Sequence, residues 1–231
     1  WLFDCMDQRI FVLARESALK ELLKNDALAL SQLKQHIGTA TMWMILGWAT
    51  GGIIFGKLSD KLGRVKTMVV TLLIYSGFTG LSGCAQGWTD FAIYRFLVGL
   101  GVGGMFGAAT TLVAESVPGR VRSLALGSLQ ALSATGNILA SLITIRIQPG
   151  AADVVGHYAG WRVLFFVGIL PAPLVVPTIL ILREPAAWKL AKAEAAAGRG
   201  PKTGSPLELF RDIRWRKNAL VGLCLGLSGM F

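Results

Sequence analysis

TMVVTLLIYSGFTGLSGCAQGWT, residues 67–89, runs 23 residues without a charged side chain. About 20 apolar residues in helical conformation cross the hydrocarbon core of a bilayer. Inside that core only the helix itself can satisfy the backbone N–H and C=O groups. A soluble helix of the same length would carry a polar face opposite its apolar stripe, and this stretch has none built from charged residues. Comparable charge-free intervals recur at 37–56, 96–114, 123–145 and 163–182. Strands of a membrane barrel would alternate with a period of two over roughly ten residues, which these intervals do not do. The fold class that follows is all-α: a polytopic transmembrane helical bundle.

Two shorter apolar stretches flank the five. Residues 1–13 are interrupted by Asp4, Asp7 and Arg9, and residues 218–231 carry no charge. Reading both as incomplete spans divides the chain into three parts. Residues 1–182 form an N-terminal six-helix bundle with a truncated first helix. Residues 183–217 form a cytoplasmic linker with amphipathic helices, and 218–231 begin a seventh helix whose C-terminal half-bundle is missing.

Charge supports this division. Only 16% of residues are charged, against about 25% in soluble domains, yet the net charge is +10, from 23 Lys+Arg and 13 Asp+Glu. The basic residues crowd one set of connections: Lys57, Lys61, Arg64 and Lys66; Arg120 and Arg122; and many positions of 183–217. The alternate connections hold only Arg15, Lys20, Lys24, Lys34, Arg146 and Arg162. Basic loops stay in the cytoplasm, so the first set is the inner side. The excess positive charge is a topology signal and not a nucleic-acid footprint. The expected location is the plasma membrane, a bacterial inner membrane, with multiple passes. Cys5, Cys84 and Cys224 are far apart in apolar surroundings and form no metal or disulfide pattern; no metal and no cofactor are expected.

Between the first two spans, residues 15–36 place Leu19, Leu22, Leu23 and Leu28 at helical spacing and read as a short amphipathic surface helix. Past the sixth span, 187–198 is rich in helix formers and ends on Gly198. Residues 198–206 read as a linker, and 207–217 as a basic amphipathic helix on the inner leaflet.

Three segments carry motifs. GKLSDKLGRVK (56–66), read as a loop, sets Asp60 beside Lys61 and Arg64, with Gly56 and Gly63 permitting close approach and a tight turn. RFLVGLGVGG (95–104) puts Gly99 and Gly103 four apart, the spacing that lets helices approach closely in lipid, with Gly101 between and Arg95 at the outer end of a span. AESVPGRVR (114–122) follows as the exit of that span. The first and last of these, with 95–104, resemble the major facilitator superfamily. Gly56, Leu58, Asp60, Gly63 and Arg64 match its signature between the second and third helices, with Lys61 and Val65 departing from it. Arg95, Gly99, Gly101 and Gly103 match its fourth-helix pattern. GWRVLFFVGILPAP (160–173) looks like the usual opening of its sixth helix. REPAAWK (183–189) loosely resembles a sugar-porter motif, keeping Glu184, Pro185 and Trp188 but lacking its Arg. The resemblance implies that Asp60, Arg64, Glu115 and one of Arg120 or Arg122 form an inner-side charge network that closes in one conformation and breaks in another.

Asp4 and Asp7, three apart, share roughly one helix face. Carboxylates in a span must be paired, protonated or open to a polar cavity. Arg9 or Arg95 is a candidate partner. In the fifth span Gln130 and Asn137, seven apart, lie on nearly one face and are candidates for solute contact.

The reading is a secondary carrier for a small polar metabolite, organic acid or sugar-like, coupled to protons in symport by alternating access. It is expected to work as a monomer in the lipid bilayer when full length. The fifth span lacks the Gly-Pro pair of the superfamily's drug/proton antiporters, which favours symport over that alternative. A transport-inactive sensor or scaffold would have lost the polar residues of the cavity. A membrane enzyme would need a convergent catalytic set, whereas His36 and His157 both fall in outer connections, so the protein is read as no enzyme.

Overall fold

A computed structural model describes residues 1–24, 27–152, 154, 156, 158–197 and 220–221. The helices are α1 (Leu2–Leu22), α2 (Ala27–Ser31), α3 (Leu33–Leu62), α4 (Arg64–Gly83), α5 (Trp88–Ser116), α6 (Gly119–Ile147), α7 (Gly160–Val167), α8 (Val175–Ile181) and α9 (Ala186–Ala196). A 3-10 turn, Ala172–Leu174, joins α7 to α8, and no strand occurs among the described residues. Among the described residues, five segments are long and apolar enough to cross a membrane: α3, α4, α5, α6 and Gly160–Ile181. The charge of α1 keeps it from that set by composition, yet with 21 residues it is about 31 Å long.

Two packing arrangements build the bundle. On one side α3, α4 and α5 meet through glycine. A Cβ on Gly47 or Gly51 of α3 would collide with the carbonyls of Phe96 or Leu100, and one on Gly99 or Gly103 of α5 with those of Met44 or Trp48. Each helix therefore offers two glycines four apart to the other's backbone, the close approach that small residues allow in a solvent giving no hydrophobic drive between helices. Gly101 points the other way, where a Cβ would lie 2.8 Å from Tyr75 of α4. On the second side α1 is central. Met6, Ile10, Phe11, Ala14, Ala18 and Leu19 pack with Phe91 of α5, Ala140 of α6, and Trp161, Leu164 and Phe165 of α7. Gly136 of α6 lies directly on the Leu2 carbonyl.

Three expectations about local structure change. Residues 15–36 are not a separate surface helix: α1 continues unbroken to Leu22, and Ala18, Leu19 and Leu23 lie in the core. Of the leucines that suggested amphipathic membrane contact, Leu19 and Leu23 lie in the bundle's own core and Leu22 packs against it, whereas Leu28 is exposed. Residues 56–66 are not a loop either. α3 runs through Leu62 and α4 begins at Arg64, so the turn is Gly63 alone, at φ +121°, a backbone conformation that favours glycine. Gly56 serves no close approach among the described residues, since a Cβ there would meet nothing within 4 Å. The sixth span is interrupted between α7 and α8, where Pro171 and Pro173 withhold the N–H groups a continuous helix needs. The linker 198–206, the basic helix 207–217 and the seventh span 218–231 lie outside the described residues apart from 220–221, which are helical; His157 and Cys224 lie outside them too.

Candidate functional site

Asp4, Asp7 and Arg95 are all fully buried, at 0% exposure. The Arg95 guanidinium lies 3.9 Å from Asp7, Nη1 to Oδ2. Its Nε and Nη2 both donate to Ser82 Oγ, at 3.2 and 2.6 Å. The rings of Phe165, Phe11 and Phe91 surround it, with centroids 4.7, 5.5 and 5.6 Å away. Burying a guanidinium is costly unless it is paired and hydrogen-bonded. One carboxylate, one hydroxyl and three aromatic faces supply that compensation. The position on the outer end of α5 makes it possible, because α1, α4 and α7 all converge there.

Asp4 has no side-chain cation partner among the described residues. Tyr75 and Thr79 of α4 stand beside Asp4 and Asp7. No donor meets hydrogen-bonding geometry with either carboxylate among the described residues. The cluster thus holds two acidic side chains against one basic one in a buried setting. Arg9, the other candidate partner, is exposed and makes no ion pair or hydrogen bond among the described residues.

At the inner end Arg64 is the hub. Nη1 donates to Asp60 at 2.6 Å, while Nε and Nη2 reach the two oxygens of Glu115 at 3.1 and 2.8 Å. This ties α3, α4 and α5 in one bidentate, charge-assisted set. Arg120 and Arg122 stay outside it: both are exposed and neither is in an ion pair among the described residues. Arg122 instead lines an open cleft of about 550 Å³ with Thr110, Thr111, Ala114, Glu115 and Leu126.

Glu184 takes a place that sequence reasoning did not assign. Its Oε2 accepts from Arg64 N–H at 2.7 Å, and its Oε1 from Val65 and Lys66 N–H at 3.0 and 3.4 Å. It therefore caps the N-terminus of α4 from 120 residues further along the chain. Trp188 Nε1 donates to the Asp60 carbonyl at 2.8 Å, and Lys192 lies over the Trp188 ring. The segment after α8 is thereby docked on the α3–α4 turn. The signal was present in REPAAWK, but sequence alone does not say that a glutamate just before a proline meets three free N–H groups elsewhere.

A second unassigned cluster closes the outer end. Glu21 of α1 accepts from Trp161 Nε1 at 2.7 Å and pairs with Arg162 at 3.2 Å. Arg162 also donates to the carbonyls of Gly83 and Ala85. Gln130 and Asn137 of α6 are exposed and are not brought to the buried acids; α6 turns Gly136 and Ala140 inward instead.

The comparisons with known proteins agree with this architecture. The family model described as "Sugar (and other) transporter" matches residues 9–204. The chain is 36% identical over 180 residues to the cis,cis-muconate transport protein of Acinetobacter baylyi, covering 78% of this chain and 42% of that one. It is 41% identical over 135 residues to a putative metabolite transport protein of Haemophilus influenzae, with 58% and 31% covered. It is 41% identical over 126 residues to the sialic acid transporter NanX of Escherichia coli, with 54% and 29% covered. It thus spans less than half the length of these relatives. In fold it matches a solved major facilitator proton:xylose symporter, XylE, with a TM-score of 0.75 at 19% identity, covering 84% of this chain and 45% of that one. The glycine-locked α3–α5 pair, the Arg64 hub and the family match over most of the length make this a multi-pass membrane chain of the sugar (and other) transporter family, within the major facilitator superfamily.

Proposed function

We propose that this chain is the N-terminal half of a monomeric secondary carrier of a bacterial inner membrane, which takes up a small organic acid together with a proton. The observation that carries the reading is the buried set of Asp4, Asp7 and Arg95. Two acidic side chains against one basic side chain leave room for one proton to balance charge, and ionisable groups in spans mark ion pathways. The acid class is supported by relatives whose names specify muconate, benzoate, gentisate and sialic acid.

In this mechanism the solute binds near the midplane between two half-bundles, which rock to alternate access. The Arg64 hub, with Asp60 and Glu115, holds the inner ends of α3, α4 and α5 together when the inner side is closed. Opening breaks these charge-assisted bonds, and binding of solute and proton shifts the balance between the two states. Gln130 and Asn137, exposed on α6, are available for solute contact.

The test is made in the full-length carrier, reconstituted in vesicles. Asp4→Asn and Asp7→Asn are each assayed for uphill uptake driven by a pH gradient and for counterflow without one. At least one variant loses uphill uptake and keeps counterflow. Uphill uptake surviving in both removes the proton site.

A further inference from the structure

α1 is enclosed on most of its circumference. α6 meets it at Gly136, α7 through Trp161 and Phe165, α5 through Phe91, and α3 where Arg15 donates to Thr41 at 3.0 Å. One stripe stays uncovered: Arg9, Val12, Glu16 and Lys20 are exposed, and their spacing places them along a single face of the helix. Glu16 and Lys20 pair at 2.7 Å and cancel. Arg9 has no ion pair or hydrogen bond among the described residues, so it is the charge left over on that stripe. It stands two residues beyond Asp7, about 200° around the helix, and Asp7 is already taken by Arg95.

An arginine turned to hydrocarbon is expensive, whereas one lining a water-filled cavity is not, and such residues mark substrate paths. A helix ringed by its neighbours and open on one charged stripe presents that stripe to polar space. A guanidinium offers a rigid fork of donors that matches a carboxylate in bidentate geometry. We infer that Arg9 is the substrate-binding residue for the carboxylate group of the transported acid. This rests on the reading above that the chain is half of an organic-acid carrier. It separates two roles within α1: Arg9 on the open stripe holds the anion, while Asp4 and Asp7 on the buried face hold the proton.

The experiment uses the full-length carrier in detergent and in vesicles, with cis,cis-muconate, benzoate and N-acetylneuraminate as carboxylate probes and benzamide and xylose as uncharged ones. Wild type, Arg9→Gln and Arg9→Lys are compared by thermal stabilisation and by counterflow. At least one carboxylate stabilises the wild type and neither uncharged probe does. For that carboxylate Arg9→Gln weakens binding roughly 10- to 100-fold, the loss of a charge-assisted pair, and Arg9→Lys falls between. Binding by Arg9→Gln within threefold of wild type overturns the assignment of Arg9 while leaving the carrier reading intact. A wild type stabilised by no carboxylate overturns both. An Arg9→Gln protein that elutes as aggregate assigns Arg9 a structural role and overturns the inference, because an exposed side chain without partners is not needed for folding.

Discussion

Removing Glu184 tests how the segment after α8 acts on the inner end of the bundle. Gly63 ends α3 and α4 starts one residue later, so the first N–H groups of α4 have no partner within the helix. Glu184 supplies both oxygens to three of them, at 2.7, 3.0 and 3.4 Å. A Cβ on Gly63 would overlap this carboxylate, so the glycine is required for space as well as for its φ of +121°. Loss of a side-chain cap costs about 0.5–2 kcal/mol. Loss of a negative charge at a helix N-terminus adds about 0.3–1 kcal/mol. Together Glu184→Ala should weaken the docked, inner-closed arrangement by about 2 kcal/mol, close to a 30-fold shift in the equilibrium. Glu184→Gln keeps an acceptor and loses the charge, so about 1 kcal/mol, roughly fivefold, is expected. The assay is labelling of a cysteine placed at Thr111, which lines the inner cleft, by an impermeant thiol reagent in inside-out vesicles of the full-length carrier. The labelling rate should rise in the order wild type, Glu184→Gln, Glu184→Ala. If Glu184→Ala labels at the wild-type rate and keeps its thermal midpoint, the cap contributes neither to stability nor to closure, and the reasoning fails.

Further predictions concern the other contacts. Asp60→Asn leaves Arg64 paired to Glu115 alone. It should change the rate of exchange between inward and outward states severalfold, with solute affinity within twofold, read by counterflow and equilibrium binding. Gly103→Leu forces a side chain against the Trp48 carbonyl and the Gly52 amide; overpacking of about 1–3 kcal/mol or more should separate α3 from α5 and appear as aggregation on size exclusion. Glu21→Ala strands the Trp161 indole N–H and removes one of three acceptors from Arg162. The loss of about 1–3 kcal/mol should lower the thermal midpoint without raising inner-cleft labelling.

What the sequence made legible was set by periodicity and by local spacing. Charge-free runs of bilayer length, without the period-two alternation of barrel strands, placed α3 to α6, since such a run satisfies its backbone in lipid only as a helix. Asp60 and Arg64 were visible as a pair because they are only four residues apart, on either side of the Gly63 turn between α3 and α4. Gly99 and Gly103 announced close packing, but their counterparts Gly47 and Gly51, at the same spacing, were overlooked because no charged or catalytic residue drew attention to them. The end of α1 was misread because Leu19 and Leu23 look alike whether they face lipid headgroups or Trp161 and Phe165; only the tertiary partner distinguishes the two. Long-range partners were the least legible. Arg9 and Arg95 were equal candidates for Asp7, and the choice of Arg95 depends on the convergence of α4, α5 and α7 around it. Glu184 and Glu21 act more than 100 residues away from their partners, where no pattern within one segment reports on the contact.

The topology itself can be read from a residue the protein already contains. Cys84 is free and exposed on the turn between α4 and α5, at the end opposite the Arg64 hub. In the full-length carrier with Cys5 and Cys224 changed to serine, Cys84 should react with an impermeant maleimide in intact spheroplasts. A cysteine replacing Lys61 on the inner turn, in a version with Cys84 also changed to serine, should react only after permeabilisation. Labelling of the Lys61 position in intact spheroplasts, or protection of Cys84 until lysis, would contradict the helix directions on which every assignment here depends.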